Sequence, residues 1–422
     1  MAAEMAKTLD DLEEIMDARP AEALEGIRNI VFAETSSDAE TLKVKEQAIQ
    51  KLTELLTKQK EGGALHLLLT ELRPLFSTIP KAKTAKIVRS VIDAVSKIPG
   101  TVALQVELCK EQVAWATQEK RTFLRQRIEA RLGQLYLETK EYPSALTLIG
   151  TLLSEVKRLD DKLLLVDVHL LESRVHHALR NLPKAKAALT AARTAANSIY
   201  VPPNVQCQID MQSGVLHAEE KDYKTGYSYF YEAFEQFNSL DDPKAVQALK
   251  YMLLCKIMTD NTEDVSSIIN TKGGLKHVGV ETEAMKAVAH AHIARSLQSF
   301  QEALKNYDEQ LGKDAIIHSH LSALYEKLME QNLCRLIEPF NCVEIAHLAQ
   351  LIELPVQTVE SKLSQMILDK KFAGILDQGK GVLLVFEDAP VDKIFTKTVD
   401  TIKNMSRVVD SLFVKSKKIV TV

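Results

Sequence analysis

The sequence has few aromatic residues and no long uncharged apolar run. Aromatic residues make up 5% of its 422 residues, whereas apolar residues make up 46%, and Ala, Leu, Lys and Glu dominate. This composition favours packed α-helices over β-sheets. Because no stretch of about eighteen apolar residues is free of charge, we expect no membrane span. The opening residues lack the apolar core of a secretory signal, so we expect no such signal either.

Cysteine is also scarce, and its spacing excludes the common cysteine-based sites. No two cysteines form a Cys-x-x-Cys pair. An odd, dispersed set predicts reduced and mostly buried thiols, as in proteins of the cytoplasm and nucleus. The five cysteines are Cys109, Cys207, Cys255, Cys334 and Cys342.

No complete catalytic motif is present. His290-x-His292 and His318-x-His320 resemble the histidine pair of metal-dependent isopeptidases, which also need a serine and an aspartate one and a half to three helical turns further on. Here those places hold Phe300, Ala303, Leu328 and Gln331, so the ligand set is incomplete. The phosphate-binding and nucleophile-elbow patterns are missing as well. We therefore expect a protein that is not an enzyme and has no catalytic, cofactor or metal site.

The net charge of −4 gives no overall basic character, but the charge is unevenly distributed. Residues 1–41 contain eleven acidic and three basic residues, and residues 391–422 contain three acidic and seven basic residues. Charged ends of this kind are often interaction segments. The alternative is that both are simply solvated faces of helices.

A repeat of about 40 residues runs through the chain. Seven times, a turn is followed by a small or slim residue that opens an apolar helix, at intervals of 39, 42, 40, 41, 39 and 38 residues: Ala64, Ala103, Ala145, Ala185, Gly226, Val265 and Ala303. A small residue there would let two helices cross closely. Such pairs stack into a solenoid. The pattern predicts tetratricopeptide-like or HEAT-like repeats over residues 41–336, preceded by divergent acidic helices in residues 1–40.

Residues 337–390 are predicted to form a small winged-helix domain. Asn341–Glu344 fits a capping box at the start of a first helix, and a second helix follows Pro355. Two short apolar runs, 372–376 and 382–386, flank a Gln-Gly-Lys-Gly turn and predict a β-hairpin. No flexible linker separates this domain from the repeats, so we expect a rigid junction.

The winged helix is predicted to bind protein and not nucleic acid. Residues 335–390 contain five basic and eight acidic residues, and the second helix has no arginine. Phosphate binding needs clustered Lys and Arg, so a nucleic-acid-binding protein is the weaker alternative. An apolar strand at the sheet edge suits pairing with a strand of another chain, through Val382, Leu384 and Phe386. The competing interpretation is that these three side chains cover the domain's own core.

Residues 391–422 are predicted to form a C-terminal assembly helix. Phe395, Ile402 and Val409 are seven residues apart, as are Met405 and Leu412. This heptad pattern is short for an independent coiled coil but sufficient to join a bundle of several helices. The alternative is that the helix packs back on its own repeats.

Four long runs resemble the PCI-domain scaffold subunits, and most closely those of the 26S proteasome regulatory-particle lid. The runs are EKRTFLRQ (119–126), RNLPKAKAALTAARTAANSIY (180–200), SLDDPKAVQALKYMLLCKIM (239–258) and KLSQMILDKKFAGILDQGKGVLLVF (362–386). The resemblance implies a mainly α fold: a right-handed solenoid of tetratricopeptide-like helical hairpins, then a winged-helix (PCI) domain and a C-terminal helix. It also implies a non-catalytic scaffold in ubiquitin-dependent protein degradation.

The resemblance further implies the partners. The winged-helix edge would join other PCI-domain lid subunits, and the C-terminal helix would enter the helical bundle of the lid. The solenoid would contact the ATPase ring and the α-ring of the core particle, with no nucleic acid and no membrane among the partners. A paralogous scaffold subunit of the COP9 signalosome, which shares this plan, is the alternative.

Overall fold

The computed structural model describes residues 20–32, 39–77, 79–312, 314–352, 354–386 and 393–420. They form two compact units. The first unit extends to Thr259 and includes Thr271–His277, while the second contains Asp260–Asn270 and the chain from Val278 onward. Of the predicted N-terminal helices, only the part from Pro20 to Phe32 is described, and the remainder lies outside the described residues.

The first unit consists of helices that pack against their neighbours in sequence. Their buried faces form a continuous apolar core from Ala23 to Val175, and a smaller cluster follows between Val166 and Leu216. With helices numbered in chain order, this unit contains α1 (Pro20–Phe32), α2 (Ala39–Lys58), α3 (Gly62–Glu71), α4 (Lys81–Ser96), α5 (Val102–Gln118), α6 (Thr122–Glu138), α7 (Tyr142–Leu159), α8 (Lys162–Ala178), α9 (Leu182–Asn197), α10 (Pro203–Glu219), α11 (Tyr223–Ser239), α12 (Lys244–Met258) and α14 (Lys272–Lys276), with a 3-10 turn at Leu75–Ser77.

The repeating helices end in the same left-handed turn. After α6, Lys140 has a φ of 63°, and the next N–H, that of Glu141, donates to the Tyr136 carbonyl at 2.9 Å. This is a Schellman motif, which satisfies carbonyls at the helix end. Left-handed residues close alternate helices at intervals of 40, 40, 40, 41, 39 and 35 residues: Lys60, Gly100, Lys140, Arg180, Lys221, Asp260 and Arg295. The predicted helical repeat is confirmed, and the turn is its most regular feature.

The prediction of a small residue at the helix crossing holds in only part of the array. Five residues after the left-handed residue, Ala145 and Ala185 are fully buried, and a Cβ added to Gly226 would lie 3.3 Å from the backbone of α10. The prediction is wrong for Ala103, which is exposed. The turn, and not the size of the residue, determines which position is buried, so in the first two repeats that position holds the larger Leu65 and Gln105.

The second unit begins with helices and ends with the predicted winged helix. The order of two short helices followed by a hairpin, with a long C-terminal helix, confirms the predicted fold class. Its elements are α13 (Glu263–Ile269), α15 (Val280–Ala294), α16 (Leu297–Asn306), α17 (Asp308–Gly312), α18 (Ala315–Ile337), β1 (Cys342–Glu344), α19 (Ile345–Ile352), α20 (Val356–Leu368), β2 (Ala373–Asp377), β3 (Val382–Phe386) and α21 (Lys393–Val420).

The sheet of the second unit is antiparallel, with the strand order β1-β3-β2. This order makes the predicted capping box wrong, because Cys342–Glu344 forms a strand instead. Val343 is the partner of Leu383, and the Val385 N–H donates to the Asn341 carbonyl at 3.0 Å. Backbone pairing with β3, which lies about 40 residues further along the chain, outweighs the local capping preference.

The position of β3 corrects a second prediction. Val382, Leu384 and Phe386 do not lie on an edge strand, because β3 is the middle strand. Between Val382 and Leu384 it pairs with β1 on one side and β2 on the other, so its backbone cannot accept a further strand there. Among the described residues, the outer side of β2 is the longer open edge.

None of the described helices has the length and apolar character needed to cross a bilayer.

Replacing Gly214 with Ala should lower the melting temperature of the full-length chain. A Cβ at Gly214 would lie 2.6 Å from the ring of Phe230, which is almost fully buried and has no room to move. We expect a loss of about 1–3 kcal/mol in the free energy of unfolding.

The matched control is Gly150→Ala, because no atom lies within 4 Å of a Cβ added at Gly150 on α7. Removing a mid-helix glycine there should stabilise the chain by up to about 1 kcal/mol. Thermal unfolding followed by circular dichroism compares the two variants, and equal melting temperatures would contradict the close approach at Gly214.

Candidate protein-interaction surfaces

The two faces of the winged-helix sheet differ in burial. Along β3, Leu383 is fully buried, whereas Leu384 and Phe386 are 39% and 48% exposed. Side chains alternate between faces along a strand, so Val382, Leu384 and Phe386 all point away from the core. The interpretation that they cover the domain's own core is therefore wrong, since Leu383 does so instead.

Neighbouring strands extend this exposed surface. Directly opposite residues point to the same face, and the register pairs Leu384 with both Cys342 and Ile375, and Phe386 with Ala373. Ile375 is 54% exposed. We call this surface the outer sheet face, and it consists of Cys342, Ala373, Ile375, Val382, Leu384 and Phe386.

Sequence reasoning missed half of the outer sheet face. The alternation Ala373-Gly374-Ile375 within the predicted hairpin is a sufficient pattern to find Ala373 and Ile375. Cys342 could not be found in this way, because its place depends on β1, whose pairing with β3 is not visible in a local pattern.

A buried lysine fixes the winged helix to the long helix before it. Lys362 on α20 is only 8% exposed. Its Nζ lies 3.2 Å from the Glu326 carboxylate and 3.4 Å from that of Glu330, both on α18, and it donates to the Gln365 side chain at 3.3 Å. Because a buried charge needs such partners, this contact restricts the angle between the two helices.

The same lysine bears on the nucleic-acid alternative. Lys362 is the one basic residue between Val356 and Leu368, the helix that reads bases in DNA-binding winged helices. Since it is buried and held by two carboxylates, it does not present a charge to a phosphate.

The predicted assembly residues lie along one stripe of α21. Phe395, Ile402, Met405, Val409 and Leu412 are each more than half exposed. The alternative that the helix packs back on its own repeats is wrong, because the described side chains from 394 to 417 are exposed with one half-buried exception. Strict heptad counting missed three further exposed residues that 3.6 residues per turn bring into or beside this stripe, Ile394, Val408 and Phe413.

The histidine and cysteine side chains that could carry chemistry have structural surroundings. Burial lowers the pKa of His292, whose Nε2 lies 3.3 Å from the Asp260 carboxylate, while Lys327 approaches the same carboxylate at 2.7 Å. Burial raises the pKa of Cys109 to about 11 and that of Cys255 to about 12, which keeps these thiols protonated. The described residues contain no group of three or more His, Cys, Asp and Glu side chains suited to a metal ion.

Three family models match the chain. The 26S proteasome regulatory subunit RPN6 N-terminal domain matches residues 5–139, which include most of the segment expected to be divergent. The PCI domain matches residues 304–387, and the 26S proteasome subunit RPN6 C-terminal helix domain matches residues 391–417.

Curated relatives match along most of their length. The chain is 62% identical to the 26S proteasome non-ATPase regulatory subunit 11 homolog of Arabidopsis thaliana, over 98% of this chain and 99% of the relative. It is 52% identical to the Dictyostelium discoideum subunit 11 (97% and 99%) and 48% identical to the Saccharomyces cerevisiae regulatory subunit RPN6 (80% and 79%). A solved structure of Rap protein complexed with competence and sporulation factor aligns at a TM-score of 0.45 and 13% identity, over 86% of this chain and 99% of that one.

Helical repeats that lead into a winged helix and an exposed C-terminal helix define a PCI-domain protein. Among such proteins, the chain belongs to the family of 26S proteasome non-ATPase regulatory subunit 11, also named RPN6. These relatives carry proteasome names, which favours the proteasomal assignment over the signalosome alternative.

Replacing Lys362 with Met should loosen α20. The variant keeps the apolar stem but leaves Glu330, which is largely buried, without its cation. Because Glu326 is mostly exposed, we expect a modest loss of about 1–2 kcal/mol in local stability. Hydrogen exchange of the α20 amides should then be about 5- to 30-fold faster.

Lys380→Met, in the exposed hairpin turn, serves as the control and should leave this exchange unchanged. Equal protection of α20 in both variants would show that the ion pairs do not hold the helix.

Proposed function

We propose that this protein is a non-catalytic scaffold subunit of the proteasome lid, serving ubiquitin-dependent protein degradation in the cytoplasm and nucleus. The observation that carries the proposal is the exposed apolar stripe of α21, next to a folded winged helix whose outer sheet face is also apolar. Exposed apolar surface of this extent is typical of interaction sites. The family assignment supports the lid as the assembly.

The stripe of α21 fits insertion into the helical bundle of the lid. Burying each of its Leu, Ile, Val, Met or Phe side chains between other helices would contribute about 1.5–3 kcal/mol. The described side chains of the helix are almost all exposed, so little of this free energy is gained within the chain itself. A bundle of several helices would cover the stripe together with the flanking Val408 and Phe413.

The winged helix would join other PCI-domain lid subunits. With β3 in the middle of the sheet, a partner strand would pair with the open edge of β2, Ala373–Asp377. Its side chains would then lie beside Ala373 and Ile375 of the outer sheet face. The predicted residues Val382, Leu384 and Phe386 would contribute through their side chains and not through their backbone.

The repeats would connect the lid to the ATPase ring and the α-ring of the core particle. What supports this part is the family resemblance, together with the regular pairing of helices in the first unit, which makes a stiff arm. The predicted domains, residues 41–336, 337–390 and 391–422, would thus serve as arm, subunit joint and bundle helix. The relatives are named non-ATPase subunits, in keeping with a role without catalysis.

Charged substitutions on the outer sheet face should prevent assembly. We expect Leu384→Asp and Phe386→Asp to reduce co-sedimentation of the full-length chain with the lid at least tenfold, since a carboxylate would be buried against an apolar partner. Tyr200→Asp is the control, because Tyr200 is 89% exposed in the first unit and away from both surfaces. Circular dichroism must show that the variants are folded, and folded variants that still co-sediment would disprove the role of this face.

The stripe of α21 can be tested with one matched pair. Met405→Asp places a charge in the stripe, whereas Asn404→Asp places the same charge on the opposite side of the helix. We expect Met405→Asp to weaken incorporation into the lid at least tenfold and Asn404→Asp to have little effect. If both variants incorporate equally, the stripe does not face the bundle.

A further inference from the structure

A small cavity between α9 and α10 is lined by basic residues alone. It has a volume of about 220 Å³, and among its lining residues are Lys186, Arg193 and His217, with no acidic residue. The two larger cavities of the described residues are lined by charges of both signs, such as Glu46 with Lys86 in the first and Asp308 with Lys362 in the second. The single sign of charge sets this cavity apart.

Arg193 is held in place by neutral groups. Its two terminal nitrogens donate to the Tyr229 hydroxyl at 3.0 Å and to the Ser213 hydroxyl at 2.8 Å. The guanidinium carbon lies 4.9 Å from the centre of the Tyr229 ring, over which the guanidinium packs. The head group is therefore fixed in position while most of its donors remain unused, since a guanidinium has five N–H groups.

Arg193 also lacks a direct counter-charge. Among the described residues, no carboxylate lies within ion-pair distance of it, and the buried Asp210 acts on it only from further away. Burial raises the pKa of Asp210, which weakens its negative charge. A partly buried cation without a partner is unfavourable, so an anion in the cavity would stabilise it.

The other two basic residues leave the cavity free of carboxylates. Lys186 pairs with Glu220, and the Nδ1 atom of His217 lies 3.9 Å from Asp222, but neither acidic residue lines the cavity. The His217 ring stacks on Tyr229 at 5.5 Å, which places it on the same aromatic support as Arg193. Leu189 and Leu216 complete the wall and reduce access of water, which strengthens charge interactions inside.

We propose that this cavity binds a phosphoryl group. A phosphoryl group carries about −1.5 to −2 charges and three acceptor oxygens, which match three basic side chains better than the two oxygens of a carboxylate. The volume is below the roughly 300 Å³ of a typical small-molecule site, so it suits one head group and not a nucleotide. The source of the group is either free phosphate or a phosphorylated side chain of a partner protein. This site is independent of the lid surfaces.

Titration of the full-length chain at constant ionic strength tests the proposal. The probes are inorganic phosphate, the blocked amino acid N-acetyl-phosphoserine amide, and N-acetyl-glutamate amide as the carboxylate counterpart, followed by phosphorus line broadening and calorimetry. We expect saturable binding of a phosphoryl probe, at least tenfold weaker binding in Arg193→Met, and unchanged binding in the control Arg158→Met, at the exposed end of α7.

The arms separate the outcomes. Tighter binding of phosphoserine amide than of free phosphate would identify a partner side chain as the source, and the reverse would identify free phosphate. Lys186→Met, at a less buried lining residue, gives a second reading if Arg193→Met is unfolded by circular dichroism, and it should also weaken binding. No saturable binding, equal binding in all variants, or binding of the glutamate probe as tight as that of phosphate would overturn the proposal.

Discussion

The repeats depend on the left-handed turn that ends alternate helices. The turn satisfies the last carbonyls of one helix and fixes where the next one starts, so the position five residues later always faces the preceding helix. Where that position is Ala145, Ala185 or Gly226, the two backbones approach closely. The closest approach is between α10 and α11, where the ring of Phe230 lies directly against Gly214. The constant turn, repeated every 40 residues or so, keeps the helices in step although their side chains differ.

Most of the fold could be predicted because its patterns are local. A turn every 40 residues, an apolar face on each helix and a hairpin around a Gly-Lys-Gly turn depend on residues close in sequence. The residue at each crossing could not be predicted by size, because Leu65 and Gln105 are as well buried there as alanine. Lys and Arg in the left-handed positions also differ from the usual glycine. Near a helix C-terminus their positive charge is favourable, which partly offsets the strain.

The candidate site was predicted less completely because part of it depends on distant pairing. Asn341–Glu344 fits a helix cap when considered alone, and only its alignment with β3 makes it a strand. This one strand moves β3 from the edge to the middle of the sheet. It thereby changes the role of Leu384 from a backbone contact to a side-chain contact. Likewise, no local pattern indicates that Lys362 is buried, since its partners Glu326 and Glu330 belong to a helix about nine turns earlier in the sequence.

An edge and a face of the sheet are not competing docking sites in this arrangement. The open edge belongs to β2, and the same strand contributes Ala373 and Ile375 to the outer sheet face. A strand that pairs with β2 would continue the sheet, and alternate side chains of that strand would extend the apolar face beyond Ile375. Backbone pairing would then set the register of the partner, while burial of the side chains would supply most of the affinity. The middle position of β3 supports this combination, because it holds Leu384 and Phe386 at the centre of the combined face.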